Sequence, residues 1–184
     1  MRGVIMTEFL DWVEESRGLA TVDELVSSLS PELTDGGAYT AVGDYPHGEL
    51  VAMMQALANY DGLTLADIQQ QFGRAVFASL ATIGAPMLLD ATCSRDVFSR
   101  INDVIHVEVR KLYPDSHPPS VTMIDIDPNE VIIDYGSHRP MADLCVGLVQ
   151  GALDFYQESA EVSIDENSFT PDSARIRVRW SPLA

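Results

Sequence analysis

Three side chains in the stretch VIIDYGSHRP could act together, because Tyr135, Ser137 and Arg139 stand at alternate positions. In an extended backbone, alternate residues share a face. A phenol, a hydroxyl and a guanidinium would line up there, directly after Val131 and Ile133 on the same face. A strand end that surfaces in water would also leave three polar residues side by side. Against that, Arg139 runs straight into Pro140 and an apolar segment, so the chain re-enters the body of the protein. A guanidinium fork with two hydroxyl donors beside it suits carboxylate recognition. The spacing points to an anion site, for one or two carboxylates, beside an apolar cavity.

The histidines are His47, His106, His117 and His138. None pairs with another at i, i+4, and none has a carboxylate at metalloprotease spacing. His47 and His117 sit in Pro-containing loops and read as solvated. His138 points away from the Tyr–Ser–Arg face. His106 follows Ile105 by about 100° of helical rotation, at the edge of an apolar stripe. A lone histidine there is more often a satisfied boundary residue than a ligand, and position alone leaves both readings open. Cys93 and Cys145 are isolated and read as free buried thiols, too far apart for a zinc motif. No glycine-rich phosphate loop, nucleophile elbow or cysteine–histidine pattern is present, so nothing points to an enzyme.

The elements that must position these groups are legible from periodicity. GVIMTEFLDWVEES sets Val4, Ile5, Phe9, Trp12 and Val13 at helical spacing, with Gly18 as a stop. TVDELVSSL reads as a short helix with Thr21 and Glu24 as a capping box. SPELTDGGAYTAVGDYP is a loop. HGELVAMMQALANYDG is a helix of Leu50, Met53, Met54 and Leu57. LTLADIQQQFGRAVFASLAT is another, capped by Thr64 and running to about Ile83. SRDVFSRINDVIHVEVRKLYP reads as the most regular helix, with a stripe of Phe98, Ile101, Ile105, Val109 and Leu112. PSVTMIDI and EVIIDYGS then read as strands joined by the turn DPNE. Pro140 suits the first position of a helix through MADLCVGLVQGALDFYQ. AEVSID and ARIRVRW close the chain as a hairpin. Helices first, then strand–strand–helix–strand–strand, predicts an α+β fold with an antiparallel C-terminal sheet.

With 184 residues the chain is long enough for one domain with a sizeable core. Its formal net charge of −17 repels nucleic acid and anionic membranes, so neither is expected as a partner. No secretory signal core or membrane-spanning run is visible, which predicts a cytoplasmic protein.

Tyr135-x-Ser137-x-Arg139 resembles the signature of the haem–nitric oxide/oxygen binding domains (H-NOX), the sensor module of soluble guanylate cyclases and related bacterial proteins. MRGVIMTEFLDWVEE, GAYTAVGDYPHGELVAMMQAL and LTLADIQQQFGRAVF resemble that family's earlier blocks. FSRINDVIHVEVRKLYPDSHPPSV resembles its helix with the haem-ligating histidine and the Pro118–Pro119 turn. The resemblance covers nearly the whole chain and implies a single haem-binding domain over 1–184. That domain would have a helical part about 1–62 and an α+β part about 63–184 with a four-stranded antiparallel sheet, the haem lying between them. Pro140-Met141 departs from the usual stretch after the arginine, which bears on how the next helix starts.

The resemblance implies haem b, with His106 on the iron and Tyr135, Ser137 and Arg139 on the propionates. Pro119 would contact the haem, and Ile5, Phe9, Val76 and Leu144 would line the distal side. Nitric oxide and carbon monoxide would bind ferrous haem; nitric oxide would weaken the iron–His106 bond and free its helix to shift. Oxygen-binding members carry a tyrosine five residues beyond the signature arginine, where this chain has Leu144. With no fused output segment in view, the signal would pass to a separate protein, a histidine kinase or a cyclic-di-GMP enzyme. One rival is a haem-free binding module of the same fold. Another is a peroxidase-like enzyme, for which no distal histidine–arginine pair is present.

Overall fold

The computed structural model describes residues 1–181. The chain divides into two compact units, Met1–Phe72 and Gly73 onward, with the boundary inside helix α4.

The first unit holds α1 (Gly3–Arg17), α2 (Leu19–Leu29), α3 (His47–Asp61) and the start of α4 (Leu65–Ile83). The apolar spacing of α1 buries Met6, Phe9 and Val13 completely. Leu50, Met53, Met54 and Leu57 of α3 are buried as fully. Gly62 ends α3 in the left-handed region at φ 68°, where a side chain would be strained. Thr64 caps α4 as expected: its N–H donates to Asp67 (2.9 Å) and its hydroxyl accepts the Asp67 N–H (3.1 Å). The Thr21 cap does not form. Helix α2 already begins at Leu19, and the Thr21 hydroxyl donates back to the Arg17 carbonyl at 3.1 Å. The Gly18 turn is tight enough to launch α2 at once. The loop after α2 contains two 3₁₀ turns, Ser30–Glu32 and Thr34–Gly37. The buried Glu49 carboxylate holds it, accepting from the Thr34 N–H (3.0 Å), the Thr34 hydroxyl (2.5 Å) and the Tyr39 hydroxyl (2.7 Å).

In the second unit, β1 (Ser120–Asp127), β2 (Glu130–Gly136), β3 (Ala160–Ile164) and β4 (Ser173–Trp180) form one antiparallel sheet in the order β1-β2-β4-β3. Alternation buries Val131, Ile133 and Tyr135 on β2 and Ala174, Ile176 and Val178 on β4. These join Cys145, Val146, Val149 and Ala152 of α7 (Ala142–Phe155), and Val97 and Phe98 of α5 (Ser94–Arg100), in one core. The later part of α4 crosses α7 at two glycines. A Cβ on Gly73 would stand 2.4 Å from the Leu144 carbonyl oxygen, and one on Gly151 would stand 2.5 Å from that of Arg74. Pro140 does not start α7, which begins at Ala142 after Met141 at φ −132°. Among the described residues no helix is long and apolar enough to cross a membrane. The architecture is α+β.

The histidine-bearing helix is not regular. Helix α5 ends at Arg100, a π turn occupies Ile101–Ile105, and α6 (His106–Leu112) follows. The expected stripe fails beyond the turn: Leu112 is 64% exposed. A π turn takes up about one more residue than an α turn, so residues beyond it lag by about 100°. His106 thereby takes the direction that an uninterrupted helix would give Ile105. It lies in line with the buried Phe98 rather than at the stripe's edge.

Candidate cofactor site

His106 is the first residue of α6, and its backbone N–H closes the π turn on the Ile101 carbonyl. Its Nδ1 is buried without a hydrogen-bond partner in the protein. Burial lowers the imidazole from its ordinary 6.5 to about 4. The Arg110 charge adds to the shift, and the nearby Pro119 carbonyl opposes part of it. The ring is neutral at physiological pH, as a metal ligand must be.

Pro119 leads directly into β1. Ser120 pairs with Gly136 and Val121 with Tyr135, so the chain next to His106 is bonded to the end of β2. Tyr135 is buried on that strand, and its phenol is pushed up to about 12 by burial, with Ser137 and Arg139 pulling the other way. Ser137 is a side-chain hydrogen-bond partner of Tyr135.

The extended register does not reach Ser137 and Arg139. Strand β2 ends at Gly136, and the next residues bend. The Ser137 hydroxyl accepts the Arg139 backbone N–H at 3.1 Å, a local turn typical of serine. The loop before β4 braces this bend: Ser137 N–H donates to the Asp172 carbonyl (2.9 Å) and Ala142 N–H to that of Pro171 (3.0 Å). No local sequence signal announces this brace, since its partners lie far along the chain. Arg139 is half-buried, and its Nε is buried with no partner in the protein. Burial lowers its pKa, against the opposing influence of Tyr135.

Val76 is buried on α4, and Leu144 is half-buried on α7 beside the buried Cys145. Ile5 and Phe9 lie on α1 of the first unit, where Phe9 packs on Trp12 (5.8 Å between ring centroids) and Phe72 (5.2 Å). His47 is half-buried at the start of α3, and His117 and His138 are exposed. Cys93 and Cys145 are both free. Among the described residues no group of three or more His, Cys, Asp or Glu could hold a metal ion. A metal here would therefore come with a further group supplying most of its ligands. A porphyrin does that, and its two carboxylates match the orphaned Arg139 donor and its hydroxyl neighbours. The residues fit haem.

Fold and site together define a haem-binding sensor domain. The chain belongs to the haem-NO-binding family, whose profile matches residues 2–164. Domains of this family are haem-based gas sensors. An Fe(II) unliganded H-NOX protein from K. algicida is 27% identical, with a TM-score of 0.88 over 100% of this chain and 98% of that one. The IWP-051-bound H-NOX from Shewanella woodyi in the Fe(II)CO state is 28% identical, with a TM-score of 0.81 over 99% and 95%. The H-NOX protein from S. oneidensis in the Fe(II)NO state is 24% identical, with a TM-score of 0.88 over 98% and 99%, and shares the fold. A comparison with curated proteins found no match.

Proposed function

We propose that this chain is a nitric oxide sensor built on ferrous haem b, acting as a single domain. His106 is the only protein ligand to the iron. Tyr135, Ser137 and Arg139 hold the propionates, Pro119 contacts the haem, and Val76 and Leu144 line the distal side. When bound, ferrous haem supplies an iron with one open position, which takes nitric oxide or carbon monoxide.

The chain's own part is to offer a neutral nitrogen at His106, to neutralise two carboxylates at Arg139 and to keep donors away from Leu144. The observation that carries the reading is the pair of buried, unpartnered nitrogens, Nδ1 of His106 and Nε of Arg139. A buried polar group without a partner costs about 1–3 kcal/mol; an iron would take a lone pair of the imidazole, and a propionate would accept the Arg139 N–H. The two states read by a partner differ in the position of His106 and α6. This chain acts in the cytoplasm, and that partner is a separate protein, a histidine kinase or a cyclic-di-GMP enzyme.

The test is the visible spectrum of the protein expressed with added haem precursor. A Soret band that shifts on adding nitric oxide to the reduced protein is expected. A colourless protein would overturn the reading in favour of a haem-free module.

A further inference from the structure

Helix α5 is held at its start by a set of polar contacts to the end of the sheet. Glu158, between α7 and β3, uses both carboxylate oxygens. Oε1 accepts the Ser94 backbone N–H at 3.3 Å, while Oε2 accepts the Ser94 hydroxyl and, at 2.9 Å, the indole N–H of Trp180 at the end of β4. Ser94 is completely buried. The next residue, Arg95, donates to the Asp125 carboxylate (2.5 Å) and to the carbonyls of Pro128 (2.6 Å) and Asp127 (3.0 Å). Its guanidinium also stands 5.7 Å from the centre of the Trp180 ring. Val97 and Phe98 then enter the core. From Ile101 to Leu112 no residue is fully buried, Ile101 alone of the turn's first residues still packing against the core. The π turn lies at this change, and His106 itself closes it.

We propose that Glu158 is a positioning residue for His106. It pins α5 to the end of the sheet, so that the π turn Ile101–Ile105 is a pivot and α6, carrying His106, is the arm that turns. The proposal rests on the reading of His106 as the iron ligand. A π turn holds one residue more than the helix around it needs, and moving that surplus by one position redirects a side chain by about 100°. Such a change exchanges only a few hydrogen bonds. It reaches His106 undiminished only if the other side of the turn stays fixed. With α5 loose, the same displacement would spread back toward Val97 and Phe98.

The experiment compares Glu158→Ala, Glu158→Gln and Trp180→Phe with Arg74→Ala as control. Arg74 pairs with Asp154 on the surface and takes no part in the clamp. Two quantities are read: amide hydrogen exchange of residues 94–105 in the haem-free protein, and the iron–histidine stretching band of the reduced, haem-loaded protein. Glu158→Ala should speed exchange in α5 at least tenfold and shift or broaden the band. Glu158→Gln keeps one acceptor oxygen for the Ser94 hydroxyl and the Trp180 indole but loses the acceptor for the Ser94 backbone N–H, so it should restore both readings in part. Arg74→Ala should match the wild type. Trp180→Phe removes a single donor and should move both readings the same way to a smaller extent; it carries the test if Glu158→Ala does not fold. Faster exchange with an unmoved band would overturn the proposal, leaving Glu158 a structural clamp only. A wild type without a Soret band would overturn the His106 reading and this proposal with it.

Discussion

The backbone N–H of His106 donates to the carbonyl of Ile101, five residues back, where a regular helix would reach only to Asn102. This wide turn aims the imidazole. Deleting the exposed Asp103 should remove the surplus residue and leave a straight helix with the histidine still in line with Phe98. The deletion variant should therefore keep the ferrous haem spectrum. His106→Ala should lose haem, or retain it only with imidazole added to fill the vacated place. If the deletion bleaches the protein as His106→Ala does, the π turn is not what aims the ring.

Acid should act on His106 in a defined window. The unfolded chain takes a proton on this imidazole near the ordinary 6.5, while the folded chain resists until about 4. As pH falls through that interval the unfolded state binds the extra proton, so stability falls with it. Glu49 has the opposite character, a carboxylate held below its ordinary 4.5. Burial pushes it up, but the hydrogen bonds from Thr34 and Tyr39 outweigh that. Its contribution is present above 4.5 and is lost as pH falls further. Thermal melts of haem-free wild type and His106→Gln should accordingly converge or cross between pH 6.5 and 4, and run parallel above 7. A constant difference across the whole range would refute the assignment.

Local pattern made most of the fold legible. The spacing of Phe9 and Val13, the Thr64 cap, the DPNE turn and the alternation along β2 each depend on residues within one or two turns of one another; on α1 the buried face takes Met6 in place of Val4, Ile5 and Trp12. What the sequence hid depends on geometry that side-chain type does not encode. Nothing in INDVI marks a π turn, because its residues suit an α-helix equally well, and an even helix would set His106 about 100° out of phase. A continuous strand would align Tyr135, Ser137 and Arg139, yet Ser137 and Arg139 lie in a bend after its end. The motif survives because the Ser137 hydroxyl and the distant Pro171–Asp172 carbonyls shape that bend.

Arg139 should matter more than Tyr135 for holding haem. Removing one member of a sheltered charge pair leaves the other unpaired and costs about 2–5 kcal/mol. Removing a neutral hydroxyl costs about 1 kcal/mol. Arg139→Ala should accordingly release haem to an acceptor protein far faster than Tyr135→Phe does. Equal transfer rates would mean that these donors do not grip the propionates.

Oxygen should be refused while nitric oxide and carbon monoxide are accepted. Bound oxygen carries partial negative charge and is retained by a hydrogen-bond donor; nitric oxide needs none. Leu144, Val76, Ile5 and Phe9 cannot donate. Tyr39 of the glycine-rich loop is already committed, donating its hydroxyl to Glu49 at 2.7 Å, and the Tyr45 hydroxyl lies against Thr40, accepting its N–H at 2.9 Å with the Thr40 hydroxyl 3.4 Å away. Withholding a donor costs oxygen about 1.5–3 kcal/mol, taking its charge as partial. The reduced protein exposed to air should oxidise slowly to the ferric form with no oxygen complex in spectra taken within seconds. Leu144→Tyr, which adds a phenol at the expected distal position, should make such a complex observable. A stable oxygen complex in the wild type would sink the claim, and would mean that Tyr39 had left Glu49 or that another donor reaches the site.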